Sequence, residues 1–323
     1  MTDFWKGKNV LVTGADGFIG SWVAQGLIEQ GANVFTIVRD LKKVCSLDLL
    51  NIKEKLTIIQ GDIIDYALVE RTINEKEIDT VYHLAAQALV QVANASPIST
   101  FKSNIEGTWN ILEACRLHKV ERVIVASSDK AYGVQKELPY NEDSPLHGLY
   151  PYDASKACAD ILTRSYATSF KLNTVVTRNA NTYGPADLNF SRIIPDAIVT
   201  LLEDKEFIIR SDGTPERDYI YIKDVVEAYL KIGENMENKH GQAFNFGSGI
   251  PTSVKELFAT IAKVMGKDTE PKIEGKANNE IDRQFLDIKR VTETFDWKPK
   301  YSLEEGLKET VEWYQNNKDK LQR

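Results

Sequence analysis

Residues Lys8-Asn9-Val10-Leu11-Val12-Thr13-Gly14-Ala15-Asp16-Gly17-Phe18-Ile19-Gly20 decide how the rest of the chain is read. Val10, Leu11 and Val12 form an apolar run of strand length that closes at Gly14. Phe18, Ile19, Trp22, Val23, Leu27 and Ile28 then recur at three and four residues, which predicts a helix. Gly31 is a fitting stop, and a second apolar run follows from Val34 to Val38. The result is a strand–helix–strand unit with three glycines at its first turn. Gly14 and Gly17 let the backbone turn tightly and approach a pyrophosphate, and Gly20 lets the helix pack against the strand. Exposed N–H groups at the helix start favour an anion there. The glycine spacing is one residue looser than the usual dinucleotide fingerprint, so its place between a strand and a helix carries the dinucleotide reading. An ordinary glycine-rich turn is the alternative.

Outward from this unit, strand-like and helix-like patterns keep alternating. Strands are predicted over 56–59, 80–84, 122–126 and 174–177, and helices over 69–73, 104–117 and 154–170. Such alternation predicts an α/β protein with a doubly wound parallel sheet (Rossmann), whose ligands sit outside the carboxyl ends of the strands. After Arg178 the pattern changes to turn-rich loops, with helices over 193–202, 225–232, 254–265 and 303–314 and short strands over 207–209 and 243–246. The last of these strands is placed to rejoin the main sheet. The expected organisation is a dinucleotide-binding domain over 1–178 and about 222–250, interwoven with a smaller C-terminal substrate-binding lobe over 179–221 and 251–323. Residues 266–283 are polar and poorly patterned, and Trp297-Lys298-Pro299 is read as packing of the small lobe.

Composition narrows the function classes. A net charge of −7 argues against general affinity for nucleic acid or acidic membranes, so an anionic ligand needs local basic groups. Three widely spaced cysteines, Cys45, Cys115 and Cys158, suggest neither a disulfide framework nor a zinc cluster, and point to a reducing, cytoplasmic setting. Asp3, Lys6 and Lys8 interrupt the opening apolar residues, so no secretory leader is expected, and no apolar run approaches membrane-spanning length. His118, His147 and His240 lack metal-ligand spacing, and no metal is expected. His83 is read as a packed strand-end residue.

The chemistry falls between Ser127 and Lys156. Tyr152 and Lys156 are four apart at the start of a predicted helix and so share a face. A nearby ammonium would stabilise phenolate, letting Tyr152 take a proton from a hydroxyl. The pair alone is commonplace on solvated helix faces. The glycine-rich turn before it and Ser128 at the end of an earlier strand give it weight.

These features together resemble the extended short-chain dehydrogenase/reductases of the nucleotide-sugar epimerase and dehydratase group. The likeness covers nearly the whole chain. It rests on Thr13-Gly14-x-x-Gly17-x-x-Gly20, Gly61-Asp62, His83-Leu84-Ala85-Ala86, Asn104-x-x-Gly107-Thr108, Ser128, Tyr132-Gly133, Tyr152-x-x-x-Lys156, Asn181-x-Tyr183-Gly184-Pro185 and Arg217-Asp218. It implies that Gly14, Asp16, Gly17, Phe18, Ile19, Gly20, Arg39, Leu84, Ala85 and Ala86 hold the cofactor. Asp62 and Ile63 would flank its adenine, and Lys156 its nicotinamide ribose. Ser128 would bond the sugar 4-hydroxyl beside Tyr152. Asn181 and Arg217 would reach the substrate diphosphate, with Gln87, Asn104, Asn189 and Arg192 as further substrate contacts.

Two residues separate the reactions of this group. Asp129 and Lys130 after Ser128 resemble the CDP-glucose 4,6-dehydratases and some UDP-N-acetylglucosamine dehydratases. The resemblance implies oxidation at C4, loss of the C5 proton to Lys130, departure of the 6-hydroxyl with a proton from Asp129, and hydride return to C6. The cofactor would then be regenerated each turnover and stay tightly bound. Lys130 as a base needs desolvation or a cationic neighbour, and Asp129 as an acid needs a raised pKa. A loop salt bridge between the two is the bland alternative, and a 4-epimerase or a non-catalytic dinucleotide sensor are the other functions weighed. Arg217-Asp218-Tyr219-Ile220 looks more like epimerases and other dehydratases, so nucleotide and hexose stay open. Arg39 would suit the 2′-phosphate of NADP, as in the GDP-mannose dehydratases, Asp40 the ribose of NAD, and Arg39 as a surface charge is equally compatible. The group also implies a homodimer through helices 104–118 and 153–170.

Overall fold

The computed structural model describes residues 3–40, 44–276 and 281–321. The first part alternates as β1 (Asn9–Thr13), α1 (Phe18–Glu29), β2 (Asn33–Val38), α2 (Ser46–Leu49), β3 (Thr57–Gln60), α3 (Tyr66–Glu75), β4 (Thr80–His83), α4 (Val90–Ala95), α5 (Pro97–Phe101), α6 (Gly107–Leu117), β5 (Arg122–Ala126), α7 (Pro151–Phe170) and β6 (Thr174–Asn179). The remainder adds β7 (Asn181–Tyr183), α8 (Ile193–Leu202), β8 (Ile208–Ile209), β9 (Glu216–Tyr221), α9 (Ile222–Asn235), β10 (Gln242–Phe246), β11 (Pro251–Ser253), α10 (Val254–Val264), β12 (Lys272–Ile273), β13 (Arg283–Gln284), α11 (Lys289–Phe295) and α12 (Leu303–Asn316).

Seven strands form one parallel sheet in the order β10-β6-β5-β4-β1-β2-β3. This is the Rossmann order with β10 added at one edge. Alternate residues of β1 feed opposite faces. Val10 and Val12 enter the core shared with Val23 and Leu27 of α1 and Val225 of α9, and Leu11 enters the core shared with Val69, Ile111 and Leu112. β4 and β6 are buried along their whole length, which is why they read as unbroken runs and not as alternating ones.

The smaller unit centres on β9. Its first residues pair with β11 and β13, and its last three with β7. Helices α8, α10 and α12 pack together beside it. Trp297 is buried, edge-on to Phe246 of β10. The stretch read as one helix from Asn104 begins as a π-turn over Lys102–Glu106, preceded by α4 and α5, which the spacing did not predict. The poorly patterned stretch 266–283 contains β12 and leads into β13; its residues 277–280 lie outside the described residues. Among the described residues no helix is long and apolar enough to cross a membrane.

Candidate active site

One cleft of ≈ 930 Å³ runs along the carboxyl ends of the central strands. Its floor at one end is the β1–α1 turn. Gly14 has φ +74°, and a Cβ on it would stand 2.8 Å from the Ala85 backbone. A Cβ on Gly20 would stand 2.2 Å from the Gly14 carbonyl oxygen. Only glycine allows this closeness of turn, helix and neighbouring strand. Gly17 caps α1 without a side-chain bond, and α1 has no acidic residue in its first turn, so its N-terminal N–H groups are left for an anion.

Asp16, Gly17, Phe18, Ile19 and Gly20 line this end with Arg39, Asp40, Asp62 and Ile63, while Leu84, Ala85, Ala86 and Gln87 line the middle. Arg39 bonds Asp40 at 2.7 Å and lies 3.9 Å from Asp62. Behind the wall His83 bridges two hydroxyls, Thr13 at 2.8 Å and Thr108 at 3.1 Å. Thr108 donates its own proton to the Asn104 carbonyl at 2.6 Å, so it receives one from His83 Nε2, and Nδ1 accepts from Thr13. Burial pulls the imidazole down to about 3, with Lys156 adding to the effect. His83 is therefore a neutral strut.

The far end carries the groups expected to react. Ser128, Tyr152 and Lys156 line the cleft together, with the Ser128 hydroxyl near enough to the Tyr152 phenol to favour its ionised form. Lys156 donates to the Ala126 carbonyl at 2.8 Å. The spacing of Tyr152 and Lys156 predicts an ammonium that lowers the tyrosine's pKa. Here burial outweighs every other influence and pushes Tyr152 up to about 12, the Ser128 hydroxyl opposing it. Burial also pulls Lys156 down to about 8.

The turn after β5 holds Asp129 and Lys130. Asp129 is 2% exposed; its Oδ1 accepts from Ser128 at 3.0 Å and its Oδ2 from Lys130 Nζ at 3.2 Å. Neither residue lines the cleft. Lys130 therefore has an anionic neighbour where the sequence argument asked for a cationic one. The turn is anchored by Tyr132, which donates to Asn245 at 2.7 Å and accepts from Arg178 at 2.8 Å. Arg178 is itself locked to Asp160 at 2.8 Å, both fully buried.

Among the remaining candidates, Asn189 and Arg192 line the cleft, and Arg192 is ion-paired with Asp187 at 3.0 Å. Asn181 lines a smaller adjoining pocket with Arg192 and donates to the Asp218 carbonyl at 3.1 Å. Asn104 lines neither; its amide pins the Gln87 main chain at 2.7 and 3.1 Å and bonds Ser155 at 2.8 Å. Arg217 also lies outside both linings and donates to the Glu216 carbonyl at 2.9 Å.

Three residues escaped the sequence argument. Asn179 lines the cleft, and its buried Oδ1 lacks a hydrogen-bond partner among the described residues. Asp153 is buried beside Lys130 and Asp129, and burial lifts it to about 6. Gln284 touches both Asp129 and Lys130. It lies on a strand of two residues, so no periodicity in the sequence marked it. A dinucleotide fits this cleft: the glycine floor suits a pyrophosphate, Asp40 or Arg39 an adenosine ribose, and the orphaned Asn179 oxygen a polar ring substituent.

The family model for GDP-mannose 4,6 dehydratase matches residues 11–310. Human dTDP-D-glucose 4,6-dehydratase is 31% identical over 320 residues, covering 96% of this chain and 91% of that one. The UDP-glucose 4-epimerase of Thermotoga maritima, solved with UDP-glucose, superposes with a TM-score of 0.89 at 33% identity, over 96% of this chain and 99% of that one. The dTDP-glucose 4,6-dehydratase of Bacillus anthracis, solved with NAD, gives 0.86 at 28% identity, over 97% and 98%.

Proposed function

Because the chain belongs to the GDP-mannose 4,6-dehydratase family of extended short-chain dehydrogenase/reductases, we propose that it is a nucleotide-sugar 4,6-dehydratase. It converts an NDP-hexose, of the CDP-glucose or GDP-mannose type, to the NDP-4-keto-6-deoxyhexose. Bound along the glycine floor, NAD or NADP supplies the hydride acceptor for C4 and the hydride donor for C6, and is regenerated. Tyr152 takes the 4-hydroxyl proton in its phenolate form, which burial disfavours and cofactor and substrate binding must make accessible, while Ser128 holds that oxygen. The ketone formed at C4 acidifies C5. Lys130 takes the C5 proton, the C–H electrons form the C5–C6 double bond, and the C6–O bond breaks. Asp129 protonates the departing hydroxyl, which leaves as water, and the proton held by Lys130 returns to C5 once C6 has gained hydride.

The observation that carries this reading is the Asp129 carboxylate, buried against the Ser128 hydroxyl and bonded by Lys130. This is the loop ion pair of the bland alternative, and it becomes an acid and a base directly behind the group that would bind the 4-hydroxyl once a proton passes from Lys130 to Asp129. A second reading, 4-epimerisation, is favoured by one fact: Lys130 is closed onto Asp129 and Gln284 and does not line the cleft. Incubation with CDP-glucose, GDP-mannose, UDP-glucose, dTDP-glucose and UDP-N-acetylglucosamine separates the two. A product lighter by one water selects the dehydratase and names its substrate, and an isomer of unchanged mass selects the epimerase.

The lobe over 179–221 and 251–323 would hold the nucleotide sugar through Asn181, Asn189, Arg192 and Arg217. Exposed Trp109 and Leu117 on α6 and Ile161 and Phe170 on α7 suit a homodimer through these helices, testable by light scattering. Three free cysteines suit a cytoplasmic enzyme.

A further inference from the structure

Gln284 belongs to β13 of the C-terminal lobe, yet its side chain serves the turn after β5. It is fully buried. Its Oε1 accepts from Lys130 Nζ, and its Nε2 donates to the Asp129 carbonyl at 3.0 Å. The same Nζ reaches Asp129 Oδ2 at 3.2 Å, and the other carboxylate oxygen takes the Ser128 hydroxyl at 3.0 Å. The strand that carries Gln284 is itself fixed. Gln284 pairs in register with Arg217 of β9, the Leu286 N–H donates to Asp218 at 3.3 Å, and the Phe285 carbonyl accepts from the Tyr140 N–H at 3.0 Å.

From these contacts we infer that Gln284 is a positioning residue for the elimination step, holding Lys130 and Asp129 in one fixed arrangement beside Ser128 without touching substrate. The inference rests on the dehydratase reading. An amide suits the task because it offers an acceptor and a donor at once and never takes a charge. Asp129 must be protonated before it can act as an acid, and in that neutral form its bond to Lys130 weakens. The Gln284 oxygen keeps the Lys130 amine paired through that change, so no buried polar group is stranded. The lobe therefore contributes to the chemistry as well as to binding.

The test uses the full-length protein with NAD and whichever of CDP-glucose, GDP-mannose, UDP-glucose and dTDP-glucose the wild type dehydrates. Oxidation at C4 is read in a single turnover from reduced-nicotinamide absorbance, and water loss from product mass. Gln284→Ala is expected to slow water loss roughly ten- to a hundredfold while KM and the C4 oxidation rate stay within about twofold. Gln284→Met keeps the buried volume without the hydrogen bonds and behaves likewise, and Gln284→Glu, which keeps an oxygen for Lys130, recovers part of the rate. Folded variants that dehydrate at the wild-type rate overturn the inference. So do variants in which oxidation and water loss fall together, and failure of all three to fold. A wild type that only epimerises overturns the dehydratase reading, and this inference with it.

Discussion

Two turns at the carboxyl ends of central strands face the same cleft and work by different means. The turn after β1 offers main chain. Gly14, Gly17 and Gly20 remove side chains and leave N–H groups and a helix start open toward the cleft. The turn after β5 offers side chains. Ser128, Asp129 and Lys130 are bonded to one another and to Gln284, which comes from a distant stretch of chain. A main-chain site depends on what is absent and tolerates no added atom. A side-chain site depends on pairings, and each partner can be removed separately.

The largest effect should come from the first turn. Gly20→Val places branched carbons where a single Cβ already stands 2.2 Å from the Gly14 oxygen. Loss of dinucleotide binding by titration, with destabilisation of at least about 2 kcal/mol by thermal or urea unfolding, is expected. Retained binding would mean that the turn relaxes and that the contrast with the second turn is weaker than drawn. Next, Tyr152→Phe should cut turnover by about 10²- to 10⁴-fold with little change in KM, read by steady-state kinetics. Then Asp129→Asn with Lys130→Ala should remove water loss by a similar factor of about 10²- to 10⁴-fold but leave exchange at C4 measurable by isotope incorporation. If exchange vanished as well, the two residues would belong to the oxidation step and the second turn would act as a single unit.

The smallest effect concerns the strut between the two turns. His83 sits at about 3 in the fold against 6.5 unfolded. Between these values the unfolded chain binds the extra proton, so stability rises with pH and is lost as pH falls. Going from about pH 7 to about pH 5, the wild type should lose about 2 kcal/mol more than His83→Gln in urea unfolding. Parallel curves would show that the imidazole finds a proton-accepting arrangement in the folded state.

The same contrast explains what could be read in advance. Strand runs such as 80–84 and 174–177 were legible because burial on both faces selects β-branched and aromatic residues without an exposed polar residue at every second position. The glycines of the first turn were legible because their spacing is local. Helices α4 and α5 were not, because Val90, Val92, Ile98 and Phe101 are exposed and leave no amphipathic period to find. At the second turn the residue types pointed to acid and base, but their pairing did not follow from them. Burial decides the Tyr152 phenol's proton affinity, and that depends on the whole cleft. Gln284 sits on a two-residue strand, too short to carry a pattern.

The position of β10 has a consequence for any attempt to cut the molecule in two. This strand follows the chain's first excursion into the lobe, yet it pairs with β6 from Gln242 to Phe246. A fragment stopped soon after β6 would leave that strand's outer row of amides and carbonyls bare, an invitation to aggregate. Truncation is thus expected to give insoluble pieces, and any study of the dinucleotide half alone must carry the segment up to Phe246 with it.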